Sequence, residues 1–104
     1  MISRKDERML SAVGEAAAEF VNRVSVGESL VTVTKVEYRD NTRTINIFVS
    51  VLPPESTGKA LALLKRERRE FSSFLKRRIT TRVLPPTQFM ADPAMGTSTE
   101  TGSA

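Results

Sequence analysis

Residues 29–54 read SLVTVTKVEYRDNTRTINIFVSVLPP, and this stretch decides the fold. Its second half, Arg43 to Leu52, alternates cleanly: Ile45, Ile47, Val49 and Val51 share one face, and Asn46, Phe48 and Ser50 share the other. That period of two predicts a half-buried strand with the aliphatic set facing a core. Ser29 to Tyr38 is rich in β-branched residues, which fit a pleated surface. The intervening Arg39-Asp40-Asn41-Thr42 is a turn signal, so the pair reads as an antiparallel hairpin. The first strand has no single phase, because Val31 and Val33 compete with Leu30, Val36 and Tyr38 for the core side; a bulge would reconcile them. Pro53-Pro54 ends the second strand, since proline donates nothing to a ladder.

On the N-terminal side, Met9, Val13, Ala16, Ala17, Phe20 and Val24 recur at steps of three and four, predicting an amphipathic helix from about Ser3 to Val24. Ser3 is placed to cap it, and Gly27 to end it. Gly14 in mid-helix costs about 1 kcal/mol against Ala unless a neighbour packs closely there. On the C-terminal side, Ser56 or Thr57 is placed to cap a helix. Its apolar residues fall in two groups, Ala60, Leu61, Leu63, Leu64 and then Phe71, Phe74, Leu75, Ile79. One straight helix would set Glu67 and Arg68 on the stripe defined by Leu64, Phe71 and Leu75, and burying unpaired charge is costly. A kink, phase shift or lift is therefore expected near residues 66–70. Pro85-Pro86 stops this helix, and Thr87 to Asp92 reads as a short last strand anchored by Phe89. The class is α+β, a three-stranded sheet with helices packed on one face. Residues 1–92 form one domain; the small polar run 93–104 (PAMGTSTETGSA) is expected to be a disordered C-terminal tail.

Composition narrows the chemistry. The chain has 104 residues, with no Cys and no His. A chain this short hides only about 60–65% of its unfolded surface, which leaves a thin core and little room for a deep substrate pocket. Without Cys or His the usual zinc and transition-metal sites are excluded, as are Ser-His and Cys-His nucleophile pairs. No catalytic residues, cofactor or small-molecule substrate are assigned, and the chain reads as a non-enzyme. No apolar run approaches the roughly 20 residues of a membrane span. The opening Met1 to Arg8 lacks a signal-peptide core, so the expected location is the cytoplasm.

The net charge of +4 is unevenly spread. Lys65 to Arg82 holds eight basic residues against two acids, a local +6, while the rest of the chain is slightly acidic. A concentrated basic stripe is the electrostatic footprint of a polyanion binder, although a solvated helix face also carries such runs. The RNA-binding candidates are Lys65, Arg66, Arg68, Arg69, Lys76, Arg77, Arg78 and Arg82, the arginines as phosphate forks and the lysines as point charges. Arg4, Lys5 and Arg8 form a possible secondary RNA contact. Glu67 and Glu70 lie among guanidinium groups, which favour their charged forms and argue against acid–base work. The rival class is a basic interaction module that docks an acidic protein or anionic surface without RNA.

Several strings, taken in order, resemble a known family. They are Arg8-Met9 at the opening of the first helix, Leu30 to Glu37, Arg39-Asp40, Ile45 to Leu52, and the ending Arg82, Pro85, Phe89, Asp92, which follows Arg-x-x-Pro-x-x-x-Phe-x-x-Asp. Together they resemble the ribosome-binding factor A family, small KH-like RNA-binding proteins of bacteria. Two segments depart from the family pattern. Ser25 to Ser29 replaces an Asp-Pro-Arg-like segment, and Glu67-Arg68-Arg69 stands where the family has an Ala-x-Gly turn at its helix kink. The resemblance implies a KH-like fold of the second topology. It also implies a monomeric assembly factor that binds the immature small ribosomal subunit and its rRNA. Such a factor assists late maturation and rRNA processing, and supports growth in the cold.

Overall fold

A computed structural model describes residues 4–24, 29–80 and 83–93, with the side chains of Arg4 and Lys5 outside that description. The expected cap at Ser3, the helix end at Gly27, Arg82 and the tail beyond Pro93 lie outside the described residues. The elements follow the expected order. Helix α1 spans Arg4–Arg23, strands β1 and β2 span Leu30–Arg39 and Thr44–Leu52, helices α2 and α3 span Thr57–Arg66 and Arg68–Arg78, and β3 spans Thr87–Ala91. β2 is the central strand, antiparallel to β1 and parallel to β3.

The irregular phase of β1 has a concrete cause. The register runs Val31↔Val51 and Val33↔Val49, then shifts between Val33 and Lys35 and resumes as Val36↔Ile47 and Tyr38↔Ile45. The extra residue, Thr34, moves the second half of the strand by one step, so Val31, Val33, Val36 and Tyr38 all face the helices. Thr34 Oγ1 donates to Asp92 Oδ2 at 2.5 Å and lies 3.3 Å from the carbonyl oxygen of Phe48. Asp92, just past β3, is 6% exposed, and its amide donates to the Val49 carbonyl. The bulge is thus tied across β2 to the far edge of the sheet. The hairpin turn closes through Arg43, whose φ of 53° lies in the left-handed region.

The core has two lobes along β2. Ile45 and Ile47 join Val13, Ala16, Ala17 and Phe20 of α1 and Phe71, Phe74 and Leu75 of α3. Val49 and Val51 join Val21, Val31, and Ala60 and Leu64 of α2. The interruption after Arg66 lets two short helices cover different halves of one strand. Gly14 has the structural reason expected of it: a Cβ there would lie 3.3 Å from Cγ2 of Val36, so the missing side chain lets α1 settle on β1. Capping of α2 differs from expectation. Ser56 occupies the cap position but makes no side-chain cap bond; a 3-10 turn at Pro54–Ser56 leads into the helix, and Thr57 Oγ1 donates to the Pro54 carbonyl at 2.6 Å.

On the face away from the helices, Phe48 pairs with Lys35, whose ammonium sits 5.1 Å from the ring centroid. Glu37 accepts from Lys35 at 3.1 Å and lies 3.8 Å from Arg39. No helix among the described residues is long and apolar enough to cross a membrane.

Replacing Thr34 with Val keeps the shape but removes a hydrogen bond to a buried carboxylate. Hydrogen bonds to charged groups contribute about 1.5–3 kcal/mol, so urea unfolding should show a loss of that size. A stability equal to wild type would show that the tie across the bulge is idle.

Candidate nucleic-acid interface

The basic segment is divided by helix geometry. In α3 the buried residues Phe71, Phe74 and Leu75 fix the inward direction. At about 100° per residue, Arg68, Ser72, Lys76 and Arg69 then run from one flank to the outer side, and Ser73, Arg77 and Glu70 from the outer side to the other flank. The flank of Arg68, Arg69 and Lys76 looks toward the segment that leads into β3. There a cleft is lined by Arg68, Arg69, Ser72, Leu75 and Lys76 on one wall and Leu84, Pro85, Pro86 and Thr87 on the other. It continues past Arg68 into a second cleft of about 820 Å³ between α2 and β3, whose walls include Leu61, Lys65, Arg68 and Phe89. Arg68, Pro86 and Thr87 belong to both. Lys65, Arg68, Arg69 and Lys76 therefore border one continuous groove with an apolar floor and a cationic rim.

The elbow between α2 and α3 places these residues. Glu67 adopts φ −89° and ψ 14°, in the bridge region open to any L-residue. Its amide donates to the Leu63 carbonyl and its carbonyl accepts from the Phe71 amide, both at 2.9 Å. The helix bends there without unwinding, and Arg68 is left exposed rather than on the core stripe. Glu67 is half-buried.

The other candidates lie elsewhere. Arg66 is exposed on the flank of α2 opposite Lys65, and Arg77 is exposed on α3. Arg78 turns toward α1, where its guanidinium meets the carboxylate of Glu19. Arg8 does not line the groove; with Asp6, Met9 and Tyr38 it borders a hollow against Ile79, Thr80, Val83 and Pro85. Two aromatic side chains of the hairpin are both engaged within the fold. Phe48 is 8% exposed beneath Lys35, and Tyr38 packs against the core. Sequence reading did not find the opposite wall of the groove, Pro86 to Phe89. The pairing of β3 parallel to β2 brings that segment beside α2, and no local pattern encodes it. Among the described residues no group of His, Cys, Asp and Glu could hold a metal ion.

Comparison with known proteins identifies the lineage. The family model for ribosome-binding factor A matches residues 2–102. The chain belongs to the ribosome-binding factor A family. Two solved structures share its fold. The crystal structure of ribosome-binding factor A from Thermus thermophilus is 24% identical, with a TM-score of 0.70, over 82% of this chain and 92% of that one. A solution structure of a Thermotoga maritima protein, described as a ribosome binding factor A, is 22% identical, with a TM-score of 0.68, over 90% of this chain and 92% of that one. No curated protein sequence matches. The KH-like order expected from the sequence, including the interruption in the second helix, is the order the structure shows.

The family's Ala-x-Gly turn, whose glycine falls on Arg69 here, is absent, yet Glu67 bends at a negative φ and Arg69 lies within α3, so glycine has no conformational advantage at Arg69. Substituting Arg69→Gly should lower stability by about 0.5–1 kcal/mol through the added freedom of the unfolded chain, while Arg69→Ala should be nearly neutral. Thermal denaturation of the two variants checks this; a stabilising glycine would mean that the elbow is strained.

Proposed function

We propose that this protein is a ribosome-assembly factor that binds the immature small ribosomal subunit through its rRNA and assists late maturation and processing of that RNA. It acts in the cytoplasm as a monomer, by binding rather than catalysis, and supports growth in the cold. One observation carries the reading: Lys65, Arg68, Arg69 and Lys76 converge on a single groove although they come from two helices. Family membership supplies the ribosome as the partner.

Physically, the groove suits a phosphate backbone. Exposed guanidinium and ammonium groups along one rim release counterions as they meet phosphates, which gives affinity without sequence reading. Arg68 and Arg69 offer planar forks, and Lys65 and Lys76 extend the potential to either side. Lys76, Arg77 and Arg78 sit in the last turn of α3, where the helix dipole favours positive charge, so the cluster does not oppose its own helix. With Phe48 and Tyr38 engaged within the fold and Phe89 half-buried in the groove wall, specificity comes from the shape of the folded RNA and its particle. Arg66 and Arg77, both exposed, extend the cationic surface; Arg82 is a further RNA-binding candidate from the sequence, and Arg4, Lys5 and Arg8 are the candidates for a secondary contact.

The variant with Lys65, Arg68, Arg69 and Lys76 all replaced by Gln tests this. Four phosphate contacts correspond to a slope of log K against log salt of about −2.8 on single strands or −3.6 on duplex. The variant should lose most of that slope and fail to co-sediment with immature small subunits, with its circular dichroism unchanged. Undiminished co-sedimentation would remove the groove from the interface. Capture by an acidic protein, with no retention by ribosomal particles, would favour the interaction module.

A further inference from the structure

Arg78 differs from its neighbours in the basic segment. Its Nη1 donates to Glu19 Oε1 at 2.6 Å and its Nη2 to Glu19 Oε2 at 2.7 Å, a two-pronged pair between α3 and α1. The guanidinium also lies over the Phe74 ring, 4.3 Å from its centroid, and Arg23 of α1 approaches the same ring at 5.1 Å. Phe74 is buried and packs on Phe20 of α1. Of the cations from Lys65 to Arg78, only Arg78 is ion-paired among the described residues.

The position explains the pairing. Arg78 falls on the same side of α3 as Phe71 and Phe74, but at the last turn, where the core gives way to solvent. A fork there closes on the α1 carboxylate instead of reaching outward. A phosphate arriving at this point would meet Glu19 and would have to displace two charge-assisted bonds and a ring contact. The pair instead fixes how far α3 can roll on α1. That angle sets where the opposite flank, with Arg68, Arg69 and Lys76, points.

We propose that Glu19 and Arg78 clamp α3 to α1 and so position, without touching the ligand, the three groove cations that α3 carries; this rests on the groove being an RNA-phosphate site. Arg78 is then a positioning residue, although its charge places it among the candidate contacts in the sequence.

Two variants preserve net charge and remove the clamp: Arg78→Lys, which loses the fork, and the double variant Glu19→Gln with Arg78→Gln. Each is titrated with a short fluorescent single-stranded RNA across a salt series, at a temperature where circular dichroism shows it fully folded. Both should bind about threefold more weakly than wild type at every salt concentration, with the wild-type slope. Arg68→Gln, which removes a true contact, should flatten the slope by about 0.7. A merely stabilising pair would shift the melting temperature and leave affinity in the folded protein unmoved, which overturns the positioning role. Arg78→Lys binding as tightly as wild type overturns it as well. So does Glu19→Gln alone tightening binding with a steeper slope, because Arg78 would then be a ligand held in reserve. Wild-type protein that ignores the RNA defeats the groove assignment and the positioning role together. Equal amide-exchange protection of α1 and α3 in wild type and Arg78→Lys defeats the clamp on its own.

Discussion

Phe71 is the point on which the helical layer turns. It is completely buried, and its ring centroid lies 5.0 Å from that of Phe20 on α1 and 5.0 Å from that of Phe89 on β3. Three elements distant in sequence meet on one side chain. The dependence is acute because α3 reads RREFSSFLKRR and buries only Phe71, Phe74 and Leu75. Burying such a side chain contributes about 1.5–3 kcal/mol, so three of them must hold down a helix otherwise covered with charge. The groove exists because this anchor holds α3 beside the chain entering β3.

That arrangement sorts the basic segment by direction. The tilted ring contacts of Phe71 fix which side of α3 faces in, and helical spacing then assigns every cation its exit. Lys65, Arg68, Arg69 and Lys76 line the groove, Arg77 faces outward, and Arg78 is consumed in holding the helix. A run that is uniform in one dimension is therefore divided into surface, wall and clamp in three. Net charge alone overstates how many of these groups are free to meet a polyanion.

Much of this was legible in the sequence because local rules governed it. The alternation from Ile45 to Val51 specified β2, and the phase conflict in β1 pointed to the bulge found at Thr34. The break in the helix was also readable, since Glu67 and Arg68 could not sit on an apolar stripe without cost. What stayed hidden depended on distant partners. Glu19 and Arg78 are 59 positions apart. The wall of Pro86 to Phe89 meets α2 only through the parallel pairing of β3 with β2. Asp92 matched a family ending, but its bond to Thr34 spans 58 positions and needs the bulge to be in place first. Ser56 showed the opposite failure: a residue of the right type stood at the right position, and a 3-10 turn made its cap unnecessary.

The elbow at Glu67 carries a wider consequence. A bend that relies on glycine exposes bare main chain and ties its chemistry to one residue type. Here the backbone turns at a negative φ, so the architecture asks for no glycine at 67, 68 or 69. The exposed positions 68 and 69 can drift in charge and reach while the scaffold stays fixed, which makes this corner of the groove a readily retuned part of the molecule.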